Sequence, residues 1–574
     1  MKRKVIKNKK QKSFFFDDYS ESEIIIEKRH INSVKISFSR ISFLFFIFFS
    51  LIAISSIKII YLSLYPEKIF LTHKINNNFT KERRDIIDRD GAILARNISI
   101  YSAGVRPQLL VDKKKFLINL KLIFPELDYK KISEKLKKNK FFYIKKRLTD
   151  NEKTKLWLLA NKALVFERKQ FRIYPQKNLF SHILGQIDDD NIGISGIEKF
   201  YNQSLMNKKL SSIALELTVD ANLQFLIREE LINAKNDFNT KGSAVLLMNI
   251  HNGQILSLVS MPDYDLNKRI SINEDIYTNK ITKGVYELGS VFKTFTLAAG
   301  LENNVIKENT IFKNLEDKIY CAGRKISEHD KLPSNLSAEQ ILIRSSNIGS
   351  IRIAQKIGVE RYKSFLNSLD LFNKIDFDLE EIGTPLPFKW GKCKLATSSF
   401  GHGITTTPLQ LARGYAILGN GGYKIRPTII NKKSNSSEKK VQIVSTETSK
   451  KINSILRKVV SKKEGTANFA NIEGYDVAGK TGTALKSVNG QYVEKKINTF
   501  VSLFPSSKPQ YVLLVILDEP KAAPNYIYEF PNGYKHKGEK RNTSGWNTVV
   551  VAGKIIKKIG PILAINNLQA SKNF

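Results

Sequence analysis

The chain has 574 residues, of which 42% are hydrophobic, so it is long enough for two to four domains with a large buried core. Its net charge of +39 indicates either a nucleic-acid binder or a protein at an anionic surface. The sequence has no zinc-finger, homeodomain or RNA-recognition signature beside this charge. Its absence favours a compositional bias together with work at an anionic surface as the explanation of the charge. Two cysteines, Cys321 and Cys393, exclude a disulfide scaffold and a four-cysteine zinc site, and they leave open one disulfide or two thiols.

A membrane-spanning helix is predicted at residues 41–65, after a basic tail at residues 1–40. Ile41–Ile57 is a run of seventeen residues without a charge. With the apolar residues after Lys58, the run exceeds the roughly 30 Å hydrocarbon core of a bilayer. A buried helix of a soluble protein is the alternative, and a cleaved signal peptide is disfavoured because no small-residue cleavage site follows. Four basic residues before the run and five after it leave its orientation open.

Residues 66–215 form a lysine-rich region without a nucleotide loop or a metal motif. Two amphipathic stretches in it, Lys113–Lys138 and Asp150–Leu164, predict helices mixed with short extended pieces. We therefore expect a separate domain here, between the membrane helix and the region that begins at residue 216.

Residues 216–565 are predicted to form an α+β domain, followed by a tail at 566–574. Asn252-Gly253 between two apolar runs predicts a hairpin, and a second hairpin is predicted from Thr499–Phe504 and Tyr511–Asp518. Ser290–Leu301 reads as a buried helix, and Val549–Ile559 as a closing helix that stops at Gly560-Pro561. Strands at both ends with helices between them predict an antiparallel sheet, flanked by helices, that both ends of the domain complete.

The first candidate for chemistry is Ser290 with Lys293, since positions i and i+3 share one face of a helix. A serine hydroxyl becomes a good nucleophile only when a base takes its proton. A lysine in an apolar helix loses solvation, which lowers its pKa and lets the neutral amine act as that base. The pattern is weak alone, because Ser-x-x-Lys also occurs at Ser436–Lys439 in a polar segment.

The second candidate is Ser345 with Asn347. A serine and an amide two residues apart can hydrogen-bond both a lysine and a substrate peptide. A helix cap or a turn is the simpler interpretation of this pattern on its own.

The third candidate is the run Lys480-Thr481-Gly482-Thr483. On a strand, Lys480 and Gly482 share one face, while Thr481 and Thr483 share the other. Lys480 offers a cation to a substrate carboxylate, a threonine hydroxyl can help to hold it, and Gly482 leaves room for a substrate backbone. Gly474–Thr481 also matches a phosphate-binding loop, an alternative disfavoured because a strand should precede it and a helix should follow.

These three motifs, in this order, resemble those of the penicillin-binding proteins and β-lactamases. The whole chain resembles the class B penicillin-binding proteins, and most closely their division-specific FtsI type. Asp85 and Leu288 depart from the family, which commonly has glycine and proline there. Further segments carry the resemblance: Arg84–Gly91, Arg172–Pro175, Ser181–Gly185, Gly196–Glu198, Tyr286–Gly289, Phe400–Gly403 and Thr407–Gln410.

The resemblance implies a penicillin-binding transpeptidase domain at 216–565 on an elongated pedestal, or dimerisation-type, domain at 66–215. It implies D,D-transpeptidase and carboxypeptidase chemistry on peptidoglycan, without a metal or a cofactor. Ser290 would attack the D-Ala-D-Ala carbonyl, with Lys293 as base and with Ser345 and Asn347 relaying protons and holding the peptide. Lys480, Thr481 and Thr483 would bind the terminal carboxylate, with Gly482 between them.

The resemblance also implies partners and a location. The stem peptide ending in D-Ala-D-Ala would be the substrate, β-lactams would inhibit, and an FtsW-type glycan polymerase and other divisome membrane proteins would be partners, with no nucleic acid. The tail at 1–40 would be cytoplasmic and the catalytic domain periplasmic, on a single-pass inner-membrane anchor, for cell-wall biogenesis and cell shape at division.

Three alternatives remain at this stage. An elongation-specific class B transpeptidase is the nearest, and Asn347 and His402 favour the division type over it. A β-lactamase or β-lactam sensor would not need residues 66–215. A non-catalytic divisome scaffold would not need intact Ser290, Lys293 and Lys480. His402, His329 and His182 are interpreted as structural or incidental.

Overall fold

The computed structural model describes most of the chain. The described residues are 25–26, 29–30, 33–64, 83–268, 274–391, 393–431, 441–488, 490–530 and 533–572.

The described part of the chain begins with two short paired strands, β1 (Ile25–Ile26) and β2 (Arg29–His30). A long apolar helix, α1 (Ser33–Leu64), follows them. Within it, Ile41–Ile60 is long and apolar enough to cross a membrane, and none of these residues is buried within the protein. A soluble core helix would bury such a face, so this observation favours the predicted membrane span. Most of the predicted tail at 1–40 lies outside the described residues.

The lysine-rich region folds as predicted into helices and extended pieces. Phe124-Pro125 separates the two helices of its first amphipathic stretch, and Asp112 and Asp128 cap them by accepting backbone N–H groups. The strands are β3 (Ile86–Ile87), β4 (Ile93–Val105), β5 (Phe142–Leu148), β6 (Leu164–Ile173) and β7 (Leu215–Glu216). The helices are α2 (Lys113–Ile123), α3 (Tyr129–Lys137), α4 (Asp150–Trp157), α5 (Ser181–Leu184), α6 (Gly196–Phe200) and α7 (Asn202–Leu205).

Strand β4 is the centre of this region's sheet. It pairs antiparallel with β3, β5 and β6, and β3 pairs parallel with β7. The small apolar core beneath it is built around Phe116, Leu120 and Phe124 of the capped helices. The strand β7 then leads directly into the larger domain.

A buried ion network joins three of the segments that carried the family resemblance. Glu198 is fully buried and accepts from Arg83 Nε at 2.5 Å and from Arg172 Nε at 2.7 Å. Arg172 also donates to the Arg84 carbonyl at 2.8 Å. Two guanidinium groups around one buried carboxylate satisfy charge that would be costly to leave unpaired. The network therefore fixes the strand β6 against the chain entering β3.

The larger domain is built on a five-stranded antiparallel sheet in the order β14-β15-β16-β8-β9. Both predicted hairpins are confirmed, with Met248 opposite Ile255 in the first and Phe504 opposite Tyr511 in the second. Pairing of Val245 with Val515 joins the two hairpins, so both ends of the domain complete one sheet. The sheet strands are β8 (Gly242–Asn249), β9 (Ile255–Met261), β14 (Ala478–Val488), β15 (Gln491–Phe504) and β16 (Tyr511–Asp518).

Helices and short hairpins surround this sheet. The helices are α8 (Ala221–Phe238), α9 (Glu274–Tyr277), α10 (Lys293–Glu302), α11 (Ala338–Ile343), α12 (Asn347–Ile357), α13 (Val359–Ser368), α14 (Lys394–Ser399), α15 (Pro408–Gly419), α16 (Thr446–Ser461) and α17 (Thr548–Lys572). The remaining strands are β10 (Ile311–Phe312), β11 (Lys318–Cys321), β12 (Arg324–Ser327), β13 (Leu336–Ser337), β17 (Ala523–Glu529) and β18 (Lys535–Glu539). The helix α10 is buried along almost its whole length, as its apolar sequence predicts.

The closing helix differs from the prediction. It does not stop at Gly560-Pro561 but continues to Lys572, past residue 566 where a tail was expected. Ile559 and Leu563 on either side of the proline are buried, and Gly560 lies against the Tyr475 ring, where a Cβ atom would be 2.0 Å from a ring carbon. The free energy gained by burying both residues therefore outweighs the cost of the helix hydrogen bond that the proline cannot make.

Candidate active site

Ser290 lies in a tight 3₁₀ turn, Gly289–Phe292, that leads into α10. Its side chain is half-buried, while Val291 and Phe292 on the next positions are fully buried. The Tyr415 hydroxyl donates to the Val291 carbonyl at 2.8 Å and holds the turn from beneath. The turn therefore presents the hydroxyl of Ser290 at the surface of a rigid apolar core.

Lys293 is the first residue of α10 and is 1% exposed. Burial lowers the pKa of its amine to about 7, against the opposing effect of the Glu328 carboxylate. Its amine donates to the Ser345 carbonyl at 2.5 Å and to the Ser345 hydroxyl at 3.1 Å. An amine with this pKa is neutral in part of the molecules at neutral pH, so it can take a proton from a neighbouring hydroxyl.

The second motif forms a turn between α11 and α12. Ser345 has a left-handed backbone, with φ at +59°, which is unfavourable for a residue with a side chain. Ser346 is the N-cap of α12 and accepts from the Gly349 N–H at 2.9 Å. The helix-cap interpretation thus applies to Ser346, and it leaves Ser345 to face the two lysines.

Asn347 starts α12 and is 4% exposed. Its amide Nδ2 donates to the Ser327 carbonyl at 2.8 Å. Its Oδ1 is buried and has no hydrogen-bond partner among the described residues. The unpaired atom is therefore an acceptor, and a ligand N–H could satisfy it.

The third motif lies on the edge strand β14, as predicted, which rules out the phosphate-loop alternative for Gly474–Thr481. Lys480 is fully buried, and its amine donates to the Ser345 hydroxyl at 2.9 Å and to the Thr481 carbonyl at 3.1 Å. Burial, followed by repulsion from Lys293, holds the pKa of Lys480 well below its usual range. Because the Lys480 amine is fully buried, it can act on a ligand only through the hydroxyls around it.

Gly482 lies against the turn that carries Ser290. A Cβ atom on it would lie 2.3 Å from the Leu288 carbonyl oxygen and 3.0 Å from a Val291 methyl. The turn that carries Ser290 therefore fills the space on the side-chain side of Gly482. The missing side chain lets β14 approach the nucleophile's turn, an approach that no side chain would permit.

The two threonines of the motif contact other parts of the domain. The Thr481 and Thr466 hydroxyls lie 2.8 Å apart, and the Thr483 hydroxyl accepts from the Ser544 N–H at 3.1 Å. The Thr483 backbone also touches the nucleophile's turn, since a Cβ atom on Gly289 would lie 2.7 Å from its carbonyl oxygen. The backbone N–H groups of Ser290 and Thr483 therefore belong to two segments in direct contact.

A second group of side chains flanks the site. Glu287 accepts from the Gly403 N–H at 2.9 Å and from the Tyr492 hydroxyl at 2.8 Å. His402 lies 3.6 Å from Glu287 and stacks on the Tyr492 ring, and burial lowers its pKa. These contacts tie the loop around His402 to the hairpin of β14 and β15, which agrees with the structural role predicted for His402.

Two features near the site could not be derived from the sequence. Glu328 accepts hydrogen bonds from Ser346, Asn347 and Ile348, and a single glutamate in a basic segment carries no sequence signal for that role. The two cysteines form a disulfide between Cys321 and Cys393, whose Cα atoms are 5.8 Å apart. A separation of 72 residues gave no basis for choosing between a bond and two thiols.

Comparison with protein families finds two matches. Residues 243–531 match the penicillin binding protein transpeptidase domain, and residues 80–222 match the penicillin-binding protein dimerisation domain. The first match contains the three motifs described above, and the second contains the buried ion network around Glu198.

Similar proteins and structures cover most of the chain. The probable peptidoglycan D,D-transpeptidase FtsI of Caulobacter vibrioides is 30% identical over 84% of this chain and 82% of its own length. Stage V sporulation protein D of Bacillus subtilis is 29% identical over 78% and 75%. Penicillin binding protein 3 of Mycobacterium tuberculosis has the same fold, with a TM-score of 0.62 at 20% identity over 85% of this chain and 96% of its own. The chain therefore belongs to the penicillin-binding protein transpeptidases, with a dimerisation domain before the transpeptidase domain.

Proposed function

We propose that this protein is a serine D,D-transpeptidase that cross-links peptidoglycan stem peptides during cell division, with Ser290 as its nucleophile. One observation carries the proposal. The turn of Ser290, the hydroxyl of Ser345 and the amine of Lys480 come from three distant segments and meet around one buried lysine, Lys293. Together they supply a nucleophile, a base and a proton relay.

In the acylation step, the Ser290 hydroxyl attacks the carbonyl carbon of the penultimate D-Ala. The neutral amine of Lys293 takes the serine proton, since Ser290 and Lys293 stand three residues apart across the 3₁₀ turn that opens α10. Collapse of the intermediate breaks the peptide bond, and the terminal D-Ala leaves as an amine. The proton that it needs passes from Lys293 through the Ser345 hydroxyl.

The oxyanion of this step is proposed to lie between the backbone N–H groups of Ser290 and Thr483. Gly289 and Gly482 support this proposal, because their lack of side chains lets the two segments touch. Each donor of such a hole is worth about 10²–10³ in rate.

Substrate binding is proposed to use Asn347, Thr481 and Thr483. The unpaired Oδ1 of Asn347 would accept an N–H of the stem peptide. The two threonine hydroxyls would receive the terminal carboxylate, and the buried amine of Lys480 would act on it through Thr481, to whose hydroxyl it donates at 3.3 Å. Gly482 contributes by its close packing.

The acyl-enzyme is then resolved by an amine of a neighbouring stem peptide, which forms the cross-link and frees Ser290. Attack by water instead would give carboxypeptidase activity as a minor outcome. β-Lactams would acylate the same serine, because their strained amide presents a carbonyl and a carboxylate in the same relation as the D-Ala-D-Ala end.

The division type is favoured over the elongation type. The Caulobacter relative is a probable FtsI, and a Buchnera aphidicola FtsI is 29% identical over 78% of this chain. Asn347 and His402 stand where the elongation type carries other residues. A scaffold without catalysis would not need an amine buried as Lys293 is.

The apolar helix α1 supports an anchor that crosses the inner membrane once. Peptidoglycan lies outside that membrane, so residues 1–40 are proposed to be cytoplasmic, residues 66–215 a periplasmic pedestal, and residues 216–565 the periplasmic transpeptidase domain. Residues 80–222 match a dimerisation domain, so glycan polymerisation is assigned to an FtsW-type membrane partner among other divisome proteins.

The proposal is tested by cross-linking in vitro. The full chain in detergent would be incubated with uncross-linked glycan strands that carry D-Ala-D-Ala stem peptides, and muropeptides would be separated after digestion. Cross-linked dimers and released D-Ala are expected with the wild type and neither with Ser290→Ala. Intact pentapeptides after incubation with folded wild-type protein would contradict the proposal.

A further inference from the structure

A carboxylate outside the three motifs organises the second of them. Glu328 follows the strand β12 directly and lies at the start of the helix α12. Its carboxylate accepts from the Ser346 hydroxyl at 2.6 Å, from the Asn347 N–H at 2.7 Å and from the Ile348 N–H at 2.9 Å. One side chain thus holds three successive residues of the turn that carries Ser345 and Asn347.

This position suits a carboxylate for two physical reasons. The first N–H groups of a helix have no partner within the helix, and the helix dipole favours a negative charge there. The turn also contains Ser345 in a left-handed conformation, which the surrounding structure must hold in place. Glu328 supplies such a restraint from outside the helix.

The neighbouring Ser327 sets the orientation of Asn347. Its carbonyl accepts Nδ2 of the amide at 2.8 Å, and this leaves Oδ1 as the buried, unpaired atom. Residues 327 and 328 therefore determine both the backbone position of Asn347 and which of its side-chain atoms is open to a ligand.

The segment that carries Glu328 has little support of its own. Among the described strands, β11 and β12 pair only with each other, and their side chains are exposed or half-buried. An isolated two-stranded hairpin is marginally stable in water. Something else must hold Glu328 against α12.

The disulfide supplies that support. Cys321 ends β11, and its partner Cys393 directly precedes the helix α14. The helix α14 packs against α12, the helix that Glu328 caps. The covalent bond therefore ties the hairpin to the same helix pair on which Glu328 acts.

We propose that Glu328 is a positioning residue for the transpeptidase reaction, and that the disulfide of Cys321 with Cys393 holds it in place over the second motif. This inference rests on the proposed function of the same site. Glu328 touches no reacting atom. It acts through Ser345 and Asn347, whose turn it fixes, and through its charge near Lys293.

The titratable groups that interact electrostatically with Lys293 are Glu328, Lys480 and His329. Glu328 is the anion among them, and it raises the pKa of Lys293 against the larger lowering by burial. Removal of its charge should therefore leave the Lys293 amine neutral at lower pH. In a plot of acylation rate against pH, the fall in rate on the acidic side (the acidic limb) should therefore begin at a lower pH.

The test measures acylation of the full chain by a fluorescent penicillin, per folded molecule, from pH 5 to pH 9. Glu328→Ala should slow acylation by about 10²-fold, the loss that a misplacement of about 1 Å can cause. Glu328→Gln keeps one acceptor oxygen, so it should be faster than Glu328→Ala and should show the acidic limb at lower pH. Asp330→Asn, an exposed carboxylate two residues on, should match the wild type in both rate and profile.

The disulfide is tested by Cys321→Ala with Cys393→Ala. This double variant should slow acylation in the same direction, and adding Glu328→Ala to it should cost little more, because both changes release the same segment. Additive losses would contradict the link between the disulfide and Glu328.

Glu328→Ala acylated within twofold of the wild type, or Glu328→Gln with an unmoved acidic limb, would overturn the positioning role. A folded wild type that no penicillin labels would instead overturn the proposed function. The two failures are therefore distinguishable in one set of samples.

Discussion

The amine of Lys480 lies 2.9 Å from the hydroxyl oxygen of Ser345, and this contact joins the third sequence motif to the second. The Lys293 amine approaches the same oxygen at 3.1 Å from the first motif. A hydroxyl that accepts from two amines has its own hydrogen free to donate elsewhere. Ser345 is thus placed to pass a proton on, and the arrangement explains why three motifs far apart in sequence occur together.

Ser345→Ala tests this relay. The change removes the shared acceptor of two buried lysine amines, and we expect the acylation rate to fall by about 10²-fold or more, the contribution typical of a positioned proton-transfer group. Stopped-flow measurement with a chromogenic β-lactam gives the rate. Ser368→Ala is the control, because within the described part of the chain its hydroxyl donates only to the Phe365 carbonyl one helical turn away. Equal rates for the two variants would refute the relay.

The pH dependence of acylation follows from Lys293. Burial lowers the pKa of its amine to about 7, and the base must be neutral to act. The acylation rate should therefore be constant above this pKa and should fall about tenfold per pH unit below it. A rate that stays level down to pH 5 would exclude Lys293 as the base. Lys293→Arg should be inactive at every pH, because a guanidinium stays protonated.

Gly482→Ala tests the packing of β14 against the turn of Ser290. The added Cβ would lie 2.3 Å from the Leu288 carbonyl, so strand and turn must separate, at a cost of about 1–3 kcal/mol in stability and a large loss of acylation. Gly391→Ala is the control, because a Cβ there meets nothing within 4 Å. Chemical unfolding and penicillin labelling measure both effects, and an unchanged labelling rate in Gly482→Ala would contradict the assigned contact.

Glu198→Gln tests the buried network of the dimerisation domain. The variant leaves Arg83 and Arg172 without a buried counter-ion, and we expect a loss of about 3–5 kcal/mol in the free energy of unfolding. Glu380→Gln breaks the exposed pair with Lys199 and should cost about 1 kcal/mol or less. Urea titration of both variants measures the difference. Similar midpoints would mean that the network does not stabilise the domain.

Sequence patterns predicted the parts of the fold that depend on local signals. The Asn252-Gly253 turn, the apolar runs of both hairpins and the buried helix after Ser290 were identified correctly. The closing helix was predicted to end too early, because Pro561 is a strong local signal for a helix end. Burial of Ile559 and Leu563 on either side of it overrides that signal.

The three motifs pointed to Ser290, Ser345 and Lys480 as one candidate site. They did not point to the residues that hold these three in place. Glu328 acts by accepting three hydrogen bonds, a role that depends on where the fold brings its carboxylate. The contact of Gly482 with Leu288 of the nucleophile's turn likewise joins two segments far apart in the chain. Contacts between segments distant in sequence leave no periodic or local pattern, so the structure was needed to find them.

The central claim, that Ser290 is an acylable nucleophile in an assembled site, is tested most directly by covalent labelling. The full chain and its Ser290→Ala variant would be incubated with a fluorescent penicillin and separated on a denaturing gel. The wild type should carry one covalent label per molecule and the variant none, with equal folding of both shown by circular dichroism. A folded wild type without label, or a variant labelled as strongly as the wild type, would contradict the account.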